Sequence, residues 1–390
     1  MQVLAKSLSP KVWHGFVTRA FHRLKTGATR VNGIGSKPST VLSEVILGGH
    51  SVGPGHRTLV VAEAGVNHNG RLDTALTMVD AASEAGADAV KFQMFRAADL
   101  ATSSAPMASY QRQGTRLRSQ KAMLAELELT ITDFTYIKQH CDARGIVFLA
   151  TPFGLKELAE LQELNVPAVK IASTDLANGP LLKAAAETSL PLIVSTGAST
   201  VEEIHECVRQ LKRRGAMERL ILLHCVSCYP AAVEALNLGA IQTLHRTFQV
   251  PTGLSDHTTS AHVGGWAVAA GACVVEKHFT LDRSQDGPDH AMSLSPAELK
   301  DYITQIRAAG SAMGLGRLGM TELEEEVRVA AGRSVVAASD IPAGTCLTAD
   351  LLTLKRPGTG ISPLALSDLV GRKTRLDIAG DTVLTWEMIQ

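Results

Sequence analysis

Eight short apolar runs, each followed by a helical pattern, dominate the chain from Leu59 onward and leave few folds open. The runs are Leu59–Ala64, Ala87–Phe95, Gly145–Ala150, Ala168–Ala172, Leu190–Thr196, Leu220–Val226, Val250–Leu254 and Cys273–Phe279. Helical periodicity falls near 71–85, 130–144, 155–164, 179–188, 200–213, 238–248, 259–271 and 296–312. Strict alternation of strand and helix demands parallel strands, because each crossover returns the chain to the same end of the sheet. Near-continuous apolarity within each run means that both sheet faces are covered. Eight such units over about 250 residues predict a (β/α)8 TIM barrel. A doubly wound open sheet is the alternative, but no glycine-rich dinucleotide turn follows the first run.

The polar residues gather where the runs end. Glu63 to Gly70 follows the first, Lys91 and Gln93 sit in the second, and Thr151-Pro152 ends the third. Lys170 and Ser173-Thr174-Asp175 mark the fourth, Ser195-Thr196-Gly197 the fifth, and His224 to Tyr229 the sixth. Barrel enzymes build their sites on this C-terminal face. The last two runs lead to Ser255-Asp256-His257 and Glu276-Lys277-His278, two histidines 21 positions apart on neighbouring parallel strands. Both imidazoles therefore emerge at one rim, beside the carboxylates Asp256 and Glu276, and together they can hold a divalent metal. A single histidine there would more simply be a hydrogen-bonded strand cap.

Composition narrows the function classes. With 38 basic and 38 acidic residues the chain has no net charge, so no global field favours nucleic acid or an acidic membrane. No apolar run reaches the roughly 18 residues that span a bilayer. The six cysteines follow no disulfide rhythm, which fits reduced thiols and a cytoplasmic enzyme. Cys225 and Cys228 form one CxxC beside His224, without the second pair that a structural zinc site takes. Residues 1–42 carry Lys6, Lys11, Arg19, Arg23, Lys25, Arg30 and Lys37 before the first acid, Glu44. They read as a basic extension, disordered or a targeting leader. Residues 43–312 hold the barrel and 313–329 an acidic linker. Residues 330–390 read as a small β-rich module, too short for a large core of its own.

Lysines inside strands are costly to bury unless they meet anions. Lys91 and Lys170, with hydroxyls from Thr151, Ser173, Ser195 and Ser255, suit a phosphorylated carboxylate. The structural alternative is an ion pair to Glu63, Asp175 or Glu276. A metal beside such a pocket suggests a carbonyl substrate polarised for attack. The residues alone thus reach metal-assisted joining of an anionic phosphate compound to a carbonyl compound.

The stretches Ala62–Gly70, Asp88–Gln93, Thr151–Phe153, Lys170–Ser173, Ser195–Gly197, Leu223–Cys225, Ser255–Thr258, Glu276–Asp282, Gly287–His290 and Lys355–Gly358 resemble the sialic acid (nonulosonic acid) synthase family. The likeness runs from about Val45 to the C-terminus. It implies condensation of phosphoenolpyruvate with N-acetylmannosamine to give N-acetylneuraminate, with release of phosphate. It also implies Mn2+, with Mg2+ or Co2+ as alternatives, and a C-terminal antifreeze-like (SAF) domain that covers the partner's barrel in a domain-swapped homodimer.

By position, the resemblance makes His257 and His278 the metal ligands. Lys91, Thr151, Lys170, Ser173, Ser195 and Ser255 become the phosphoenolpyruvate pocket, and Tyr229 and Asp289 the sugar contacts. Arg356 of the other subunit would hold the N-acetyl group, and Glu63 and Gln93 would line the space between the substrates. Glu63 or Asp175 would handle protons. The family usually has Ser-Gly-Glu where this chain has Ser173-Thr174-Asp175, so the carboxylate here is one methylene shorter; some members have asparagine in place of Ser227. An alternative within the family makes N,N'-diacetyllegionaminate or pseudaminate from a 6-deoxy diacetamido sugar. The loop Gly65–Asn69 sides with neuraminate or legionaminate. Outside it stand a catalytically dead sugar-binding barrel and an aldolase with Lys170 as Schiff base, which leaves the histidine pair unexplained.

Overall fold

The computed structural model describes residues 44–390 apart from 115, 116, 118 and 315, so the basic extension lies outside the described residues. Two compact units divide the chain, Met1–Ala312 and Met313–Gln390.

In the first unit eight strands run parallel: β1 (Leu59–Gly65), β2 (Ala89–Met94), β3 (Val147–Pro152), β4 (Val169–Ile171), β5 (Leu192–Ser195), β6 (Leu220–Cys225), β7 (Thr252–Asp256) and β8 (Val274–His278). Their ladder order is β3-β2-β1-β8-β7-β6-β5-β4, and β3 lies against β4, which closes the barrel. The helices between them are α1 (Leu72–Ala85), α2 (Ile131–Arg144), α3 (Leu155–Glu163), α4 (Gly179–Glu187), α5 (Val201–Arg213), α6 (Gly239–Phe248), α7 (Val263–Ala269) and α8 (Pro296–Met313).

Local chemistry sets the helix limits. Thr130 with Asp133, and Thr200 with Glu203, form reciprocal capping boxes that open α2 and α5. Gly86 and Gly145 end α1 and α2 in left-handed conformation. α7 begins four residues later than its periodicity predicts. Thr258 and Ser260 side chains accept from the Ser260 and His262 amides, which holds the segment in turns instead.

A short antiparallel hairpin, Val45–Leu47 with His50–Val52, precedes the barrel. Its Val45, Leu47 and Val52 pack with Leu59, Ala89, Leu149 and other residues near the starts of the strands, so the N-terminal mouth is filled by apolar contact. The C-terminal mouth is left for polar groups.

Successive strand residues face opposite sides, and this sorts β7 and β8 into two functions. Asp256 and Lys277 lie level on the two strands and turn outward beneath α8. There Lys277 Nζ sits 2.9 Å from Asp256 Oδ2, and Tyr302 on α8 donates its hydroxyl to the same oxygen at 2.8 Å. Asp256 therefore does not stand beside the histidine pair; its partner is a buried lysine on the far side of the sheet.

The second unit has a buried apolar cluster of its own, including Val335, Ile341, Leu347, Leu369 and Leu384. It surrounds the antiparallel strands β9 (Ser334–Ala337) and β10 (Leu352–Lys355). Arg356 follows β10 and is exposed within that unit.

Candidate active site

The pleat points Glu63 (β1), Lys91 (β2), Lys170 (β4), Ser255 (β7), and Glu276 and His278 (β8) into the barrel's C-terminal mouth. The register sets Glu63 level with both Lys91 and His278, and Ser255 level with Glu276. These residues line one cavity of about 820 Å³. Gln93, Thr151, Ser173, Asp175, Ser195, Tyr229, His257 and Asp289 line it too. Every site residue expected in the barrel is thus gathered in a single cavity.

At its floor, buried charges compensate one another. Lys91 Nζ is 2.7 Å from Glu63 Oε2 and 3.7 Å from Glu276 Oε2, and donates to Thr151 Oγ1 at 3.1 Å. Lys170 Nζ donates to Ser195 Oγ at 2.7 Å and to the Ile171 carbonyl at 3.0 Å. Ser255 donates to Glu276 at 2.8 Å, and Gln93 to Glu63 at 3.2 Å. Asp175, in a turn after β4, pairs with none of these lysines in this way and accepts from Asn178 at 2.9 Å.

The two central carboxyls behave differently. Burial alone would raise Glu276, but Lys170 and then Lys91 outweigh it and hold the group at about 2. Glu63 is raised by burial, and the charge on Glu276 adds to the effect despite Lys91. Glu276 is therefore the fixed anion, and Glu63 is the carboxyl disposed to hold a proton. Burial, then Glu63, pushes Asp289 up to about 7. Burial also lowers Lys170, only partly offset by Glu276.

The rings of His257 and His278 are 5.5 Å apart, within reach of a shared ion. His257 Nδ1 lies 2.9 Å from the Val226 carbonyl, which can only accept. A proton therefore sits on Nδ1, which leaves Nε2 as the nitrogen that would ligate a metal. His278 is held neutral by burial and by His257, and its Nδ1 is buried with no hydrogen-bond partner. Burial would lower His257, but Cys225 and then the Val226 carbonyl outweigh it and raise the ring. A cation would displace that proton, so the two adjacent imidazoles fit a divalent ion. Among the described residues no third histidine, cysteine or carboxylate completes the set. The remaining positions would fall to substrate or water.

Three further lining residues bear on the chemistry beyond the site roles expected from the sequence. Glu276, expected as a carboxylate beside the histidines or an ion-pair partner, shares a face with His278 two positions on and accepts from Ser255. Cys225, level with Ser255, points inward and brings Sγ to 3.7 Å from His257 Nδ1. Its neighbour His224 turns outward to the Leu236 carbonyl at 2.7 Å. Tyr110 stacks on Tyr229 from the long connection between β2 and α2, and no periodicity marks it.

Residues 78–317 match the NeuB family, and residues 332–390 match the SAF domain. The chain belongs to the NeuB family. It is 40% identical over 335 residues to N,N'-diacetyllegionaminic acid synthase of Legionella pneumophila, covering 85% of this chain and 94% of that protein. It is 32% identical over 348 residues to N-acetylneuraminate-9-phosphate synthase of Homo sapiens, covering 87% and 95%. Among solved structures it resembles the sialic acid synthetase of Leptospira borgpetersenii, with TM-score 0.67 and 35% identity over 73% of this chain and 94% of that one. This NeuB-family enzyme thus carries its charged floor and histidine rim inside the matched segment, apart from Glu63 at its N-terminal side. No helix among the described residues is long and apolar enough to cross a membrane.

One residue of the β1–α1 loop carries a pH prediction. Burial lowers His68 from 6.5 to about 4, and the side chain is 1% exposed. Between those values the unfolded chain takes a proton that the folded chain refuses. Stability is therefore complete above pH ~6.5 and falls as pH drops toward ~4, by roughly 3 kcal/mol. Urea midpoints from pH 7 to 4 should fall more steeply for the wild type than for His68→Gln. Parallel curves would refute this.

Proposed function

We propose that this enzyme condenses phosphoenolpyruvate with the open-chain aldehyde of an N-acetylated amino sugar, forming a nonulosonic acid and releasing phosphate. The observation that carries the reading is the cavity floor, where two buried lysines and three hydroxyls converge beside a histidine pair. Lys91, Lys170, Thr151, Ser195 and Ser255 would bind the phosphate and carboxylate of phosphoenolpyruvate, displacing some of the internal pairing that Glu63 and Glu276 supply. A divalent ion on His257 and His278, Mn2+ with Mg2+ or Co2+ as alternatives, would supply Lewis-acid polarisation of a carbonyl.

The protein's own groups account for the proton traffic. The enol carbon bonds to the aldehyde carbon, and the aldehyde oxygen takes a proton from Glu63, whose carboxyl is raised. Water adds to the resulting cationic carbon and gives its proton to Asp175, which also lines the cavity. The adduct then loses phosphate by C–O cleavage while its hydroxyl proton passes to the departing phosphate, leaving the keto acid. Tyr229 and Asp289 would contact the sugar. In a domain-swapped homodimer, Arg356 of the second copy's SAF domain would bind the acetyl group.

The greater identity to N,N'-diacetyllegionaminic acid synthase supports a 6-deoxy diacetamido acceptor ahead of N-acetylmannosamine. Phosphate release from phosphoenolpyruvate, measured across acceptors of both kinds with mass spectrometry of the product, tests the reading. Absence of release with every acceptor would reject it. Arg356→Ala should raise the acceptor KM roughly tenfold to a hundredfold and leave that of phosphoenolpyruvate unchanged, as expected for a lost charged hydrogen bond. Equal effects on both would reject the swapped cap.

A further inference from the structure

The cavity has a second half that the chemistry above does not use. Beyond the charged floor, its wall is formed by Leu100, Met107, Tyr110 and Leu124 from the β2–α2 connection, with Phe95 and Phe153 behind them. Met107 packs with Phe95 and Leu127 in a small apolar cluster separate from the barrel core. Aliphatic and aromatic groups dominate this wall; of its two amides, Gln120 donates to Gln111 Oε1 at 3.4 Å, and the same oxygen accepts from the Ala108 amide at 3.0 Å.

Aromatic contacts join the two halves. Tyr229 lies 4.3 Å from the His257 ring and 6.4 Å from His278, and Tyr110 stacks on its other side at 4.8 Å and 30°. A sugar whose aldehyde meets the histidines would run along this stack, presenting its far carbons to Tyr110 and the aliphatic wall. A hydroxyl delivered there loses water and gains few partners, whereas a methyl group is favoured.

We propose that Tyr110 and the apolar wall of the β2–α2 connection form a specificity subsite for the distal end of the acceptor, selecting sugars that end in a methyl group over those that end in a hydroxymethyl group. The inference rests on the condensation reading above and adds to it the element that chooses the acceptor. Tyr110 is a specificity-determining residue: it stands beyond the histidines and lysines and makes no bond to the reacting atoms. Its ring, not its hydroxyl, does the selecting.

The test compares kcat/KM for a 6-deoxy diacetamido mannose-type sugar and for its 6-hydroxy counterpart, which differ only at the terminal carbon, in wild type, Tyr110→Ala and Tyr110→Phe, with thermal unfolding measured alongside. The wild type should prefer the methyl-terminated sugar by about 10- to 100-fold, the range an apolar pocket achieves. Tyr110→Ala should shrink that ratio about tenfold or more through the acceptor KM, with the phosphoenolpyruvate KM unchanged, and Tyr110→Phe should keep it. A wild type that favours the hydroxymethyl sugar overturns the proposal, whether or not the alanine variant folds. So does an unaltered ratio in a folded Tyr110→Ala. Both of those results leave the condensation reading standing, whereas a wild type that consumes phosphoenolpyruvate with neither sugar, nor with N-acetylmannosamine, removes both readings together.

Discussion

Lys91→Met is expected to abolish turnover and to weaken the fold at the same time. The ammonium lies against Glu63 and near Glu276, all of it buried. Removing one partner of a buried ion pair leaves an uncompensated carboxylate, at a cost of about 3–5 kcal/mol. Glu63 can relieve part of this by taking a proton, since burial already raises it. The variant should therefore be more stable in mild acid, relative to wild type, than at neutral pH. On the proposed reading, activity should fall by at least about a thousandfold, because Lys91 would be a fixed cation for the substrate phosphate. Chemical denaturation and phosphate release, each followed against pH, check both parts. A stable variant with near-normal turnover would remove Lys91 from the site.

The second large effect concerns the rim. His257→Ala and His278→Ala should each lower turnover by about a hundredfold to a thousandfold and abolish its response to added Mn2+. In the wild type, chelation should remove activity and Mn2+ should restore it. Direct metal binding by the stripped protein, measured by calorimetry, should disappear in both variants. Full wild-type turnover after stripping would overturn the assignment. Tyr229 touches His257, and the proposed reading gives it a sugar contact; Tyr229→Phe should therefore retain metal binding, which separates loss of a donor from general damage to the rim.

Much of this was legible in the residues because barrel strands announce themselves. Each apolar run became a strand within a residue or two of its expected limits, since burial on both faces leaves little room for polar letters. The gathering of Lys91, Lys170, Ser195 and His257 followed from one rule, that parallel strands end on the same side. Illegible was anything set by the pleat. Asp256 is next to His257 in sequence, yet alternation sends it through the sheet to Lys277. Glu276, two positions from His278, is the carboxylate on the pocket side, and only the register reveals its contact with Ser255. The β2–α2 connection was harder still. Its short helices, Ala97–Leu100, Ser109–Gly114 and Gln120–Glu126, are held by contacts distant in sequence, such as the Ala97 amide donating to Glu128 at 2.6 Å.

The outward pair Asp256–Lys277 and the inward imidazoles at 257 and 278 occupy consecutive links of the same two strands. Sliding either strand by one step would thrust a lysine or an aspartate into the mouth and bury an imidazole beneath α8, beside the phenol of Tyr302. Such a misthreaded barrel would be penalised twice, by an unmatched charge and by the loss of its chemistry. Evolution therefore cannot drift the rim independently of the scaffold here: whatever preserves the salt link behind the sheet also preserves the aim of the two rings in front of it.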